Sequence, residues 1–299
     1  MKTMLHNILL NPAFMLWDYG TAAEIAGLPS HGYLANRWKT TRLGAATGTI
    51  TRGATPNTTG VSKWMRNTPT LRTAIDTVSP EGSVRVAQTI EEAVRWHRGL
   101  AVATIIAAGP EGATFDVALG SEVIGTVVTR GSGVYTMSSF AAVMGDTTTA
   151  SGSTDFTVFT NPSNTGVYDV AFVQLRLGAA IPGPGQLEVR TVAQERQLCA
   201  RYARRVGAGL SGPSTTSRIA FPVAHPVEMM KGATWIPADG QVATVNVNTG
   251  ATASMDNPTW SSTYSSTSGA RLITTGWSGL SVGTLMVTTP VIGLLHADY

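Results

Sequence analysis

The chain has 299 residues, of which 43% are hydrophobic and only 13% are charged, and its formal net charge is +3. The hydrophobic share excludes a disordered chain, and the small charge, spread over scattered arginines, argues against a nucleic-acid-binding surface. The single cysteine, Cys199, excludes an internal disulfide and a zinc site built on several cysteines. The 32 glycines and the many threonines indicate sheets joined by tight turns.

The first segment, NILLNPAFMLWDYG at 7–20, begins with an apolar cluster and ends in turn residues. Asn7, Asn11 and Pro12 interrupt the apolar run near the start of the chain, so we expect no signal peptide. No apolar stretch approaches the roughly 18 residues of a membrane-spanning helix. We therefore expect no membrane insertion.

Strand patterns separated by turn residues dominate the next part of the chain. GSVRVAQTI at 82–90 alternates, and LAVATIIAAG at 100–109 is a continuous apolar run of the kind that forms a buried strand. Further strand patterns follow at 113–129, 154–164 and 166–178. Because helices do not alternate with these strands, the pattern predicts an antiparallel β-sandwich rather than a parallel sheet.

One stretch, RTVAQERQLCARYARRV at 190–206, predicts a helix. It follows a linker, GAAIPGPGQ at 178–186, whose two prolines cannot both lie in a central strand. Apolar residues recur at spacings of three and four, which predicts one apolar stripe beside an arginine-rich face. The stripe consists of Leu198, Cys199, Tyr202 and Val206, and Gly207 and Gly209 end the helix.

The last third of the chain resumes as strands, with a different composition. From residue 232 onward it holds one cation, Arg271, and three acids, and three of the seven tryptophans lie there. This change predicts a second, small β-domain. Because so uncharged a domain would be poorly soluble if fully exposed, we also expect the chain to form an oligomer.

The order of these motifs resembles that of bacteriophage tail-fibre and related virion appendage proteins with a jelly-roll, carbohydrate-binding-like module. NILLNPAFMLWDYG followed by YLANRW at 33–38 resembles the start of such jelly rolls. QTIEEAV at 88–94 resembles their core strand, and VQLRLG at 173–178 resembles their closing strand. ERQLCARYARR at 195–205 is similar to their helix, and similar C-terminal motifs are FPVAHPVEMM at 221–230 and LLHADY at 294–299.

The resemblance implies a jelly-roll β-sandwich at 1–185, a connecting helix at 186–210 and a small C-terminal β-domain at 211–299. It implies a structural protein of the virion, made in the bacterial host cytoplasm. Such a fibre or spike subunit, a homotrimer, contacts other virion proteins and host surface glycans and catalyses nothing. The helix would couple domains and subunits through Leu198, Arg201, Tyr202 and Arg205.

Two alternatives to this function stay open. One is a decorating subunit of the capsid, collar or baseplate that has no receptor role. The other is an enzyme that cleaves surface polysaccharide, because carboxylates distant in sequence can converge in space.

The candidate carbohydrate-binding residues are aromatic residues of the last third. Trp260 and Tyr264 are flanked by Ser and Thr in NPTWSSTYSSTSG, which we interpret as a loop-like stretch. An exposed aromatic ring can stack on the C–H face of a sugar, while the neighbouring hydroxyls bond its oxygens. Trp235 and Trp277 border apolar strand patterns, so the alternative for them is a place in the core of the small domain.

Other possible sites are weak in the sequence. GLSVG at 279–283 fits a nucleophile pattern around Ser281, but a strand pattern rather than a helix follows it, which predicts a hairpin turn. The five histidines lack metal-ligand spacing, and no calcium-binding loop pattern occurs. We therefore expect no catalytic residue, metal or cofactor, although the resemblance leaves open a structural calcium at Asp18 or Glu24.

Overall fold

The structure is a computed structural model that describes most of the first two thirds of the chain in full and the strands of the last third by their backbone. The fully described residues are 7–17, 22–25, 32–33, 35, 37–55, 65, 68–77, 83–90, 99–144, 153–183 and 186–200, apart from the side chains of 32, 33, 43 and 83. The chain divides into two compact units, Met1–Glu195 and Arg196–Tyr299.

Twelve strands form the described part of the first unit. They are β1 (Ala22–Glu24), β2 (Gly32–Tyr33), β3 (Lys39–Leu43), β4 (Thr47–Ala54), β5 (Pro69–Thr77), β6 (Ser83–Ile90), β7 (Leu100–Gly109), β8 (Thr114–Leu119), β9 (Glu122–Val128), β10 (Gly131–Val143), β11 (Thr154–Thr160) and β12 (Gly166–Leu177). The first sheet has the order β1-β4-β5-β12-β7-β10, and the second has the order β2-β3-β6-β11-β8-β9.

All strand pairs in both sheets are antiparallel, which confirms the predicted β-sandwich. Aromatic rings fill the core, and the ring centroids of Phe115 and Phe159 lie 4.9 Å apart. Tyr168 meets both of these rings at steep interplanar angles. As its apolar run predicts, β7 is buried at every position after Leu100. Its place between β12 and β10, with side chains covered on both faces, explains the lack of alternation.

The segment 7–17 runs beside β12 where β5 stops pairing with it. β5 pairs with β12 only from Gly166 to Val170. Beyond that point, the amide of Ile8 donates to the carbonyl of Leu175, and the amide of Val173 donates to the carbonyl of Pro12, each at 2.9 Å. The segment therefore satisfies backbone groups of β12 that would otherwise be left exposed.

A network of charged side chains near the end of the first unit holds the segment 7–17 in place. Arg190 Nη1 donates to the carbonyl of Leu9 at 3.0 Å and to Glu195 Oε1 at 3.1 Å, and Arg190 Nε donates to Glu188 Oε1 at 2.9 Å. Glu195 is fully buried, and its other carboxylate oxygen accepts from the amide of Asn11 at 2.6 Å. Burial raises the pKa of Glu195, and the hydrogen bonds from Asn11 and Arg190 oppose that shift.

The helix α1 spans Val192–Cys199 and is shorter than the predicted 190–206. Thr191 begins it with a capping box, in which the amide of Thr191 donates to Gln194 Oε1 at 2.9 Å and the amide of Gln194 donates to Thr191 Oγ1 at 3.3 Å. Beyond the helix, Ala203–Val206 forms a strand instead. Cross-strand pairing therefore overrides the helical spacing of these residues.

The predicted apolar stripe holds only in part, because Val206 lies in a strand beyond α1 and Tyr202 lies outside the described residues. Leu198 is 37% exposed, whereas the buried positions of α1 are Glu195 and Cys199. These two residues are four apart, so they lie on one side of the helix and define the face that packs.

The second unit is also built of antiparallel strands. They are β13 (Ala203–Val206), β14 (Gly209–Thr215), β15 (Arg218–Ala224), β16 (Thr234–Pro237), β17 (Gln241–Asn246), β18 (Thr252–Asp256), β19 (Thr259–Ser265), β20 (Gly269–Thr275), β21 (Met286–Thr289) and β22 (Gly293–His296). They form a three-stranded sheet, β13-β22-β16, and a seven-stranded sheet, β18-β17-β21-β14-β15-β20-β19. The mainly β fold class is thus confirmed. In the described part of the chain, no helix is long and apolar enough to span a membrane.

Candidate functional site

The stretch that contains Trp260 and Tyr264 is a strand, not the predicted loop. Both residues lie in β19, where Trp260 pairs with Thr274 and Tyr264 pairs with Arg271, with a register shift between Ser262 and Tyr264. Threonine and aromatic residues favour strands, so a run rich in hydroxyls can resemble a loop in sequence and still pair in a sheet. Sugar contact by Trp260 and Tyr264 stays a prediction.

The remaining predicted residues are spread over the chain. Trp235 lies in β16 opposite Leu295, and Arg205 lies in β13 opposite Leu294. Leu198 is in α1, and its role as a coupler stays a prediction. Four of the predicted positions lie outside the described residues: Asp18, Arg201, Tyr202 and Trp277, as does Ser281. Glu24 is exposed in β1.

A different group of residues comes together on the outer face of the first sheet. Successive side chains of a strand point to opposite faces, so Asp169, next to the core residue Tyr168, points outward. Register places Asp169 opposite Ala108 on one side and opposite Arg72 on the other, and Arg72 lies opposite Thr51. These residues therefore form a line across neighbouring strands.

Tyr135 of β10 extends this line by one strand. It packs against the outer-face cluster that contains Ile106 and Phe172, and the charge of Asp169 acts on its phenol. Ala108 has a small side chain, which leaves room for the ring of Tyr135 to approach Asp169. We call the residues Tyr135, Ala108, Asp169, Arg72 and Thr51 the Tyr135 row.

A bidentate ion pair between Arg72 and Asp169 forms the polar part of the Tyr135 row. Arg72 Nε donates to Asp169 Oδ1 at 2.9 Å, and Arg72 Nη2 donates to Asp169 Oδ2 at 3.0 Å. Thr70 Oγ1 also donates to Oδ1 at 2.9 Å. The Asp169 side chain is 9% exposed and the Arg72 side chain is 41% exposed. The buried carboxylate thus fixes the guanidinium in one orientation at the surface.

Gly53 makes room for this arrangement. A Cβ atom at Gly53 would lie 2.4 Å from Thr70 Oγ1 and 3.0 Å from Asp169 Oδ1. The first distance is shorter than a real Cβ atom adopts, and the second is tighter than most Cβ contacts. The missing side chain therefore lets Thr70 and Asp169 form their hydrogen bond beneath Arg72.

Tyr135 stands between this polar pair and an apolar cluster. The cluster contains Ala13, Met65, Ile106, Ala171 and Phe172, with Met15, Leu187 and Tyr135 packed against it. The Tyr135 side chain is half-buried. Burial raises its pKa, as does the charge of Asp169, while the charge of Arg72 opposes the shift. The phenol therefore keeps its proton and remains a hydrogen-bond donor at neutral pH.

The row combines a partly exposed aromatic ring, a guanidinium with outward N–H groups and a phenolic hydroxyl. Such a set binds a molecule that has a C–H face and oxygen acceptors, and it offers no nucleophile beside a general base. Within the described part of the chain, no three His, Cys, Asp or Glu side chains are grouped so that they could hold a metal ion.

Sequence reasoning missed the Tyr135 row because its members come from separate strands. One signal was present: GVYDVAFVQLRLG, the sequence of β12 and the following glycine, places the charged Asp169 among apolar residues. A charge inside a buried strand requires a partner, and Arg72 in β5 supplies it. Only the strand order of the sheet identifies that partner.

No family model matches the chain, and no curated protein matches it. Several solved structures are similar to it in part. The enzymatically active domain of bacteriophage CBA120 tailspike protein 4 is 11% identical with a TM-score of 0.39, and the match covers 57% of this chain and 21% of that one. The carbohydrate-binding module TmCBM61, in complex with β-1,4-galactotriose, is 12% identical with a TM-score of 0.33, covering 57% and 97%.

A cyclase from Fischerella sp. TAU, in complex with 4-(1H-indol-3-yl)butan-2-one, is also similar. It is 12% identical with a TM-score of 0.38, and the match covers 59% of this chain and 100% of the cyclase. Likenesses at such TM-scores do not show what the chain does.

Proposed function

We propose that the chain is a glycan-binding subunit of a bacteriophage fibre or spike and that it acts by binding, not by catalysis. The observation that carries the binding role is the Tyr135 row, in which a half-buried ring lies beside an oriented guanidinium. The order of motifs, which resembles that of virion appendage proteins, supports a location in a phage fibre or spike. The ligand is a host surface glycan, and the protein is a homotrimer that also contacts other virion proteins.

The ring and the guanidinium have separate tasks in this proposal. One face of Tyr135 packs on a sugar ring, which supplies contact area at little cost in conformational entropy. The N–H groups of Arg72 that Asp169 does not occupy donate to sugar hydroxyls. Because Asp169, which also accepts from Thr70, already holds the guanidinium, little rotamer freedom is lost when the sugar binds.

A single shallow site of this kind binds weakly, with a Kd of about 1 mM, or about 4 kcal/mol. Three copies in a trimer, and many trimers on one particle, raise the strength of attachment through multivalency. Weak single sites with strong collective attachment fit a subunit that acts on a cell surface.

Removing the ring tests the proposal. Tyr135→Ala lowers attachment of the assembled particle to host cells and lowers binding of the isolated protein to host surface polysaccharide, without changing assembly. The neighbouring Val134, which is 49% exposed, supplies the matched control. Val134→Ala removes exposed apolar surface from the same strand and leaves attachment unchanged.

Three other outcomes would point elsewhere. If both variants and the parent attach equally, the Tyr135 row does not bind the glycan. Equal attachment together with a capsid, collar or baseplate location would favour the decorating subunit. Release of reducing ends from the polysaccharide would favour the enzyme.

A further inference from the structure

Arg176 is a half-buried arginine without a hydrogen-bond or ion-pair partner among the described residues. Its Nε is buried and makes no hydrogen bond. Among the described residues, no carboxylate forms an ion pair with it, whereas Arg72, Arg85 and Arg190 each have one. A guanidinium that is partly removed from water without an acceptor is costly, so Arg176 would gain from an acceptor that a ligand supplies.

A second donor without a partner lies two residues away on the same face of β12. Gln174 is fully buried, its Oε1 accepts from the amide of Glu188 at 3.1 Å, and its Nε2 has no partner. Register places Gln174 opposite Thr104 and Arg176 opposite Val102. This end of the outer face therefore has an excess of N–H donors.

A series of outward positions on β10 connects the region of Arg176 to the Tyr135 row. On β10, the outward positions between the two are Met137, Ser139 and Ala141, which we call the β10 lane. The three side chains are uncharged and at least partly exposed. Ala141 lies opposite Val102, the neighbour of Arg176, and its small side chain leaves the guanidinium accessible.

The length of the β10 lane exceeds that of one sugar unit. Asp169 of the Tyr135 row is opposite Ala108 of β7, and Arg176 is opposite Val102 of the same strand. At the rise of an antiparallel strand, this separation is about 20 Å. A ligand that contacts both places must be an oligosaccharide.

From these observations we infer that the outer face binds an acidic glycan. A sugar ring lies on Tyr135, the chain follows the β10 lane, and a carboxylate of another sugar unit binds Arg176. This inference rests on the proposed function and adds the chemical class of the ligand. Arg72 does not select acidic sugars, because Asp169 already neutralises it. Among the described residues, Arg176 is a cation of this face with charge left to offer.

An array of carboxylated glycans and their carboxyl-reduced counterparts provides the test. We expect the parent protein to bind a carboxylated glycan more tightly than its reduced form and to lose this preference at high salt. Arg176→Gln lowers binding of the carboxylated glycan roughly tenfold, to the level of the reduced form. Arg176→Lys, which keeps the charge, retains part of the preference.

Two controls separate this inference from the proposed function. Arg85→Gln removes the same charge from the other face of the sandwich and leaves the preference unchanged. Tyr135→Ala lowers binding of both forms. If Tyr135→Ala lowers binding but Arg176→Gln does not affect the preference, the carboxylate contact is wrong and the glycan-binding function stands. If no glycan binds the parent protein, both proposals are wrong.

Discussion

The two outer faces of the sandwich use similar side chains in different ways. On the second sheet, Asp155 accepts from Thr89 Oγ1 at 2.8 Å and from Arg85 Nη2 at 3.4 Å. Arg85 Nε also donates to Thr157 at 2.9 Å, and Lys39 Nζ donates to Thr89 at 2.5 Å. Each of these three charged groups is thus satisfied by partners on its own face.

The outer face of the first sheet is not fully satisfied in this way. The Arg72–Asp169 pair lies beside the half-buried ring of Tyr135, whereas Gln174 Nε2 and Arg176 Nε lack acceptors among the described residues. The difference teaches that the presence of arginine does not mark a binding face. On the first face, the half-buried Arg176 keeps an Nε without an acceptor among the described residues.

The largest effect we expect comes from removing the buried carboxylate of the first face. Asp169→Ala leaves Arg72 and Thr70 without their acceptor, and we expect a loss of about 2 to 3 kcal/mol in the free energy of unfolding. Asp155→Ala is the matched change on the second face, where both partners are 33% exposed. There we expect a loss below about 1 kcal/mol. Urea unfolding of the two variants measures the contrast, and equal losses would contradict it.

A smaller effect is expected from filling the space at Gly53. Gly53→Ala pushes a methyl group against Thr70 and Asp169, and we expect a loss of about 1 to 2 kcal/mol because the strands must shift. The displaced Asp169 no longer orients Arg72, so glycan binding falls as well. Thermal unfolding and binding to host polysaccharide check the two parts. Loss of stability with unchanged binding would show that the orientation of Arg72 is unimportant.

The smallest effect concerns the buried carboxylate of Glu195. The pKa of Glu195 is raised, mainly by burial, so its folded form binds its proton more readily than its unfolded form. Its contribution to stability is therefore greatest below the ordinary pKa of a glutamate and falls as pH rises through the raised pKa. We expect the free energy of unfolding of the parent, relative to Glu195→Gln, to be higher at pH 4 than at pH 7. A difference that does not change with pH would contradict the direction of this shift.

The sequence predicts the sandwich well because alternation and apolar runs report burial directly. The continuous run of β7 corresponds to a strand covered on both faces. The helix was predicted too long because its spacing continues past Cys199, whereas Ala203–Val206 pairs with β22. Pairing between residues so far apart in sequence leaves no trace in the local pattern.

The candidate site was harder to predict than the fold. Tyr135, Asp169 and Arg72 belong to β10, β12 and β5, which neighbour one another only through the strand order of the first sheet. The aromatic residues that the sequence did suggest were chosen for their hydroxyl-rich neighbours, and two of them, Trp260 and Tyr264, lie in an edge strand. Local composition could not tell such a strand from a loop.

Amide chemical-shift mapping during titration with an oligosaccharide of the host surface glycan tests the central claim most directly. We predict that the largest shifts fall on the first sheet, at Arg72, Tyr135, Met137 and Arg176, while Arg85 and Asp155 on the second sheet do not shift. Shifts confined to β19 around Trp260 and Tyr264, or to the second sheet, would contradict the assignment of the outer face of the first sheet as the glycan-binding surface.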